Sequence, residues 1–169
     1  MQDGHLDAAI AATPLEHETI KERVLYYEPF VAYTPPGHRL SKEQKIKPEE
    51  LDVDDILLLE DGHCFKEGIL NICKTNKDTD NASFQLESGS FETLIKLANE
   101  GLGMTLLPYL HTLELSEKES NNLRMFEEPS PAREVSLIYN KSELKMQIIE
   151  ALQQIISGVV RGAVAFNNV

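Results

Sequence analysis

The sequence predicts an α/β protein with a mainly parallel sheet. Strand-like and helix-like apolar patterns alternate along the chain. The short unbroken run Ile56-Leu57-Leu58-Leu59 has the character of a strand covered on both faces. Two loops, Leu59-Glu60-Asp61-Gly62-His63-Cys64 and Glu87-Ser88-Gly89-Ser90, each lead from a strand pattern into a helix pattern. Ligands of α/β sheets sit at such carboxyl ends of strands.

The elements follow in order. Leu6-Asp7-Ala8-Ala9-Ile10-Ala11 reads as a buried strand running into a Thr13-Pro14 turn, and Glu28-Pro29-Phe30-Val31-Ala32-Tyr33 as a second, ended by Pro35-Pro36-Gly37. Pro48-Glu49-Glu50-Leu51 starts a short helix with proline in its first turn. From His63 to about Lys74 the spacing is helical, with Phe65, Ile69, Ile72 and Cys73 on one stripe. Ser83 to Glu87 reads as a strand. Ser90 caps a helix with the stripe Phe91, Leu94, Ile95 and Ala98, which Gly101 ends. Met104 to Leu107 is a buried strand closed by Pro108, and Arg124 to Phe126 and Glu134 to Tyr139 are two more. Leu144, Ile148, Ala151, Leu152 and Ile155 mark a long amphipathic helix, and this stripe is expected in the core.

Composition narrows the function classes. The 169 residues are 41% hydrophobic and 26% charged, the balance of a soluble globular protein. With 16 basic and 28 acidic residues the net charge is −12, which disfavours gripping a phosphate backbone directly. No run approaches the roughly 18 apolar residues of a membrane span. The opening MQDGHLDAA lacks the basic start and apolar stretch of a signal peptide, so a cytoplasmic location is expected.

Cys64 and Cys73 are nine positions apart and are too few for a disulfide scaffold. On a continuous helix that separation is about 13.5 Å along the axis and about 180° around it. A disulfide needs Cα atoms roughly 4.4 to 6.8 Å apart. An intact helix therefore forbids the bond, and the thiols join only if the segment rewinds. Gly68 weakens such a helix by about 1 kcal/mol relative to alanine. Cys64 falls at the first turn of the expected helix, where backbone N–H groups favour a thiolate. His63 and Lys66 add to that effect, and Glu60 and Asp61 oppose it. Spacing alone leaves two readings open: a redox pair and two inert structural thiols.

Leu58-Leu59-Glu60-Asp61-Gly62-His63-Cys64, with Cys73 nine positions on, resembles the OxyR family, the peroxide-sensing branch of the LysR-type transcription regulators. Ser90-Phe91-Glu92-Thr93-Leu94 and Gly101-Leu102-Gly103-Met104-Thr105-Leu106-Leu107-Pro108 are similar to the helix–strand signature of LysR-type effector domains. Gly4-His5-Leu6-Asp7 resembles their G-x-L-D strand.

The resemblance implies a two-lobed, periplasmic-binding-protein-like regulatory domain with two crossover strands. On that pattern residues 28–134 form the second lobe with the redox cysteines, and 1–27 with 135–169 form a partial first lobe. The family's opening strand and helix, and its winged helix-turn-helix domain, would lie outside this chain. The resemblance also implies roles. Cys64 is the peroxidatic thiol and Cys73 the resolving one, joined reversibly as a disulfide. Gly62, His63, Lys66 and Ser90 are the candidate ligand-binding residues, with His63 and the N–H groups after Gly62 lining the peroxide pocket. Implied partners are hydrogen peroxide, thiol reductants, further copies in a homodimer or tetramer, and promoter DNA through the absent N-terminal domain. Such sensing is stoichiometric, so no enzymatic activity is expected. The match departs from the family in two places. Phe65-Lys66-Glu67 stands where members often have Leu-Arg-Asp. Asn140 follows Tyr139, where members often have an arginine, so Lys66 or Lys141 would have to supply that charge.

Other patterns point to structure. His5, His17, His38, His63 and His111 have no metal-ligand spacing, and no metal or cofactor is expected. Gly101-Leu102-Gly103 reads as a helix end rather than a phosphate cradle. Ser90 lacks the G-x-S-x-G surroundings of a hydrolase nucleophile. The acidic stretch Asp52 to Asp55 reads as a solvated face. Two further functions stay open: an effector domain that binds a small organic anion between its lobes, held by Ser88, Ser90 and a helix N-terminus, and a thiol peroxidase.

Overall fold

The computed structural model describes residues 6–59, 68, 69, 72, 87–142 and 145–166. The chain divides into two compact units, Met1–Glu28 with Arg133–Val169, and Pro29–Ala132. The chain passes from one to the other in strand β2 (Ile20–Tyr33) and returns in the strand Ala132–Asn140.

The first unit contains β1 (Ala8–Thr13), the first part of β2, and the C-terminal helix Met146–Phe166. β1 lies antiparallel to the returning strand, with Ala8 opposite Tyr139, Ile10 opposite Leu137 and Ala12 opposite Val135. Leu25, Leu137, Tyr139 and Ile149 form its buried core, with Ala8, Tyr26, Met146 and Ile156 packed against it.

The C-terminal helix turns a different stripe inward from the one expected. Ile149 is 1% exposed, whereas Ile148 and Ile155 are 57% and 63% exposed. Hydrogen bonding decides the rotation. Ser157 Oγ donates to the Leu25 carbonyl at 3.1 Å, and Gln153 Nε2 donates to the Val24 carbonyl at 3.2 Å. Both side chains must face β2 to do so. Apolar residues on nearly every side of the helix made the inward face ambiguous in the sequence.

In the second unit the elements after β2 are β3 (Lys45–Ile46), β4 (Leu58–Leu59), β5 (Glu87–Ser88), α1 (Phe91–Asn99) and β6 (Thr105–Pro108). They continue with the short helices α2 (Tyr109–Thr112) and α3 (Glu117–Ser120), then β7 (Leu123–Phe126), before the returning strand β8 and the C-terminal helix α4. One-turn 3₁₀ segments occupy Pro48–Glu50 and Val53–Asp55.

The pairing is mixed. β2 runs antiparallel to β6 and β7, because the chain turns back after entering this unit. Parallel pairing holds between β3 and β7, between β4 and β5, and at the bridge from Ile56 to Met104. Leu57 N donates to the Met104 carbonyl, and Met104 N to the Asp55 carbonyl, both at 2.8 Å. Thr105 is fully buried and its hydroxyl donates to the Leu57 carbonyl at 2.9 Å, which meets the hydrogen-bonding demand of a buried polar group. One core gathers Phe30, Ile46, Leu58, Ile69, Met104 and Leu106. A second sets Leu94, Ile95 and Ala98 of α1 against Tyr33, Leu57 and Leu107.

β2 is longer than its sequence suggested. Lys21, Glu22 and Arg23 hid Ile20–Tyr27, which lies in a strand exposed to solvent along part of its length.

Candidate functional site

Leu58 and Leu59 lie in register with Glu87 and Ser88, so β4 and β5 end side by side and point the same way. The chain leaves these strands at residues 60 and 89. Gly62, His63, Cys64, Lys66 and Cys73 fall outside the described residues. What is described brackets them. Leu58 is fully buried upstream, and downstream Gly68, Ile69 and Ile72 are helical. Ile69 is fully buried and Ile72 packs on the same core. These are two of the four residues of the expected stripe; Phe65 and Cys73 are the undescribed two. At Gly68 an added Cβ would lie 3.6 Å from Phe30 Cζ, an ordinary packing distance.

Ser90 is a helix cap. Its backbone is extended, and its Oγ accepts from Thr93 N at 3.3 Å. Its own N–H donates to Ser88 Oγ at 3.4 Å. Glu92 turns its carboxylate onto its own backbone N–H and the Ser90 hydroxyl, which hold it below the usual carboxylate range.

At the position where the family often has arginine, the Asn140 side-chain oxygen accepts from Ser142 N at 2.9 Å and from Ser142 Oγ at 2.8 Å. It caps a turn. The exposed Lys141 follows, its backbone N–H bonded to the Thr19 carbonyl at 2.9 Å.

Sequence reasoning did not find a polar cleft at the opposite ends of β4 and β6. It has a volume of about 470 Å³ and is lined by Pro35 to Arg39, Asp55 and Gly101 to Gly103. His38 Nδ1 accepts from Leu40 N at 3.3 Å, which leaves the ring proton on Nε2. Nε2 is buried without a hydrogen-bond partner, 3.7 Å from an Asp55 oxygen. That oxygen accepts from Arg39 Nε at 2.9 Å. Burial pushes the His38 imidazole below its ordinary range, against the pull of Asp55 and with the push of Arg39. Two lone residues and an aspartate in a presumed solvated stretch gave no sequence signal for this cluster.

Among the described residues no cluster of histidine, cysteine or acidic side chains is built to hold a metal ion, and no helix is long and apolar enough to cross a membrane.

The family model described as the LysR substrate binding domain matches residues 1–160. A probable hydrogen peroxide-inducible genes activator of Mycobacterium leprae is 31% identical over 161 residues, covering 95% of this chain and 51% of that protein. A hydrogen peroxide-bound cysteine mutant of OxyR from Corynebacterium glutamicum superposes with a TM-score of 0.82 at 28% identity, over 97% of this chain and 52% of that one. A full-length OxyR variant from Pseudomonas aeruginosa gives a TM-score of 0.80 at 30% identity, over 96% of this chain and 54% of that one. The chain spans about half the length of the curated relatives it matches.

Proposed function

This chain belongs to the LysR substrate-binding domain family, and we propose that it is the sensing part of a hydrogen peroxide-responsive transcription regulator, switched by a reversible Cys64–Cys73 disulfide. Residues 28–134 would be the lobe that carries the switch. The observation that carries this reading is the parallel end of β4 beside β5. From there the Glu60-Asp61-Gly62-His63-Cys64 run departs at the carboxyl edge of the sheet, the position that exposes reactive groups in this fold class.

The chemistry balances within the chain and its oxidant. The Cys64 thiolate attacks one peroxide oxygen, the O–O bond breaks, and the sulfur becomes a sulfenic acid. The departing hydroxide takes a proton and leaves as water. The Cys73 sulfur then attacks the sulfenic sulfur and expels a second water as the disulfide forms. Two thiols lose two electrons and peroxide becomes two waters. A thiol reductant restores the pair. Gly62, His63, Lys66 and Ser90 are the residues assigned to the surroundings of the peroxide. Promoter DNA would be reached through a separate DNA-binding domain, since a chain of net charge −12 is poorly suited to grip a phosphate backbone itself. Each oxidation consumes one peroxide and leaves the domain in its altered state until it is reduced, so the role is sensing rather than catalysis.

Thiol titration after one equivalent of peroxide tests this. Loss of both thiols with an intramolecular Cys64–Cys73 link by peptide mapping is the expected outcome. Two free, unmodified thiols after exposure would refute it, and sustained peroxide turnover with added reductant would favour a thiol peroxidase.

A further inference from the structure

Gly68 lies four residues after Cys64 and five before Cys73. It is helical, as are Ile69 and Ile72. Ile69 is fully buried in the core with Phe30, Ile46, Leu58, Met104 and Leu106, and Ile72 packs against that core. The helical segment is thus anchored by its apolar side, and a glycine stands next to the anchor.

Glycine is required where the backbone turns left-handed or where another atom comes too close for a Cβ. Both demands occur elsewhere in this chain. Gly37 and Gly101 have φ of +92° and +82°, and a Cβ on Gly103 would lie 2.5 Å from the Asp55 carbonyl oxygen. Neither demand holds at Gly68. Its backbone is helical, its φ lies outside the left-handed region, and a Cβ there would meet the Phe30 ring at an ordinary 3.6 Å. Alanine fits the helical form and would hold it more firmly. What glycine contributes here is a lower cost of leaving the helix.

That cost bears on one event. About 13.5 Å of helical rise separates two residues nine positions apart, and a disulfide needs Cα atoms within about 6.8 Å. Gly68 stands between the two thiols in sequence, so the rewinding that joins them includes it. Oxidation trades the helix for the S–S bond, and the free energy of unwinding is subtracted from the driving force. A helix that is easier to unwind stabilises the disulfide relative to the dithiol, and a firmer helix does the reverse.

We propose that Gly68 sets the redox poise of this domain: it makes the reduced helix easy to unwind, and so fixes the reducing strength at which the disulfide opens again. The inference rests on the Cys64–Cys73 disulfide proposed above. The difference between glycine and alanine in a helix corresponds to about a fivefold change in the thiol–disulfide equilibrium, or about 20 mV for a two-electron couple.

Equilibration of the full chain in glutathione buffers of graded ratio tests the proposal. Two protein thiols and one glutathione disulfide exchange to the protein disulfide and two glutathione thiols, and alkylation followed by intact-mass measurement counts the protein thiols that remain. Gly68→Ala should favour the dithiol at least about fivefold, with Gly68→Ser between it and the wild type, in the order of helix propensity. Gly158→Ala is the control. Gly158 is also helical and uncrowded, but it lies in α4, far in sequence from both cysteines, and its substitution should not move the equilibrium. Urea unfolding of the reduced chains should show Gly68→Ala no less stable than the wild type. An unchanged equilibrium in Gly68→Ala, a Gly68→Ser value outside the interval, or an equal shift in Gly158→Ala would overturn the inference and leave the disulfide standing. Destabilisation of the reduced form by Gly68→Ala would overturn it as well. A wild-type chain that forms no Cys64–Cys73 bond at any ratio would remove the disulfide reading and this inference together.

Discussion

Arg133 grips one oxygen of Glu28 with two nitrogens, Nε at 2.9 Å and Nη2 at 2.7 Å, and Glu28 is only 3% exposed. The two residues sit on β2 and β8, the strands that cross between the units. A buried carboxylate is tolerable there because the guanidinium meets it with charge-assisted hydrogen bonds. Arg133→Ala should cost about 3 kcal/mol, since it leaves a charge buried without that guanidinium. Arg133→Met combined with Glu28→Gln should recover most of the loss. Urea unfolding of the three variants measures both, and a double variant no better than Arg133→Ala would refute the account.

Acid should loosen the polar cleft. Burial lowers the His38 pKa relative to the unfolded chain, so the unfolded state binds the proton first. Stability from this group is therefore complete above the unfolded value of about 6.5. It is lost as pH falls from there through the folded value. Melting temperature should drop between pH 7.5 and 5.5, and His38→Gln should flatten that part of the profile.

Gly101 and Gly103 should respond differently to alanine. Gly101 has φ +82° with open space around it, and Gly101→Ala should cost about 1 kcal/mol, the ordinary left-handed penalty. Gly103 has φ +147°, and an added Cβ would lie 2.5 Å from the Asp55 carbonyl oxygen. That oxygen accepts the Met104 N–H at 2.8 Å, so relief would break the join between the strands. Gly103→Ala should cost at least about 2 kcal/mol more than Gly101→Ala by chemical denaturation.

Removing the cap of α1 tests the role assigned to Ser90. Ser90→Ala should destabilise by about 1 kcal/mol, and Ser90→Asp should retain most of the capping. If Ser90 is purely a cap, peroxide reactivity at Cys64 should be unchanged in Ser90→Ala. A slower reaction at unchanged stability would place its hydroxyl in the peroxide pocket.

The two cysteines should be separable. Cys64→Ser should abolish the reaction with peroxide. Cys73→Ser should still consume it, accumulating sulfenic acid or its over-oxidation products. Intact-mass measurement distinguishes these outcomes.

The sequence by itself determined the elements with strong local signals. Ser90 and Gly101 bound α1 because a side-chain acceptor and a left-handed glycine act within one turn. Ile56 to Leu58 are buried because nothing in the run tolerates water. Ile69 and Ile72 share a side because helical periodicity is local, and the motif ending at Cys64 carried the family. Tertiary structure alone decided where several candidates were locally equal. Ile148 and Ile149 are adjacent and equally apolar, and the choice between them fell to Ser157 and Gln153, whose donors reach the carbonyls of Leu25 and Val24. Glu28 and Arg133 lie 105 positions apart, and nothing in the neighbourhood of either announces the other. Periodicity states how a segment must be covered; only the packed chain states by what.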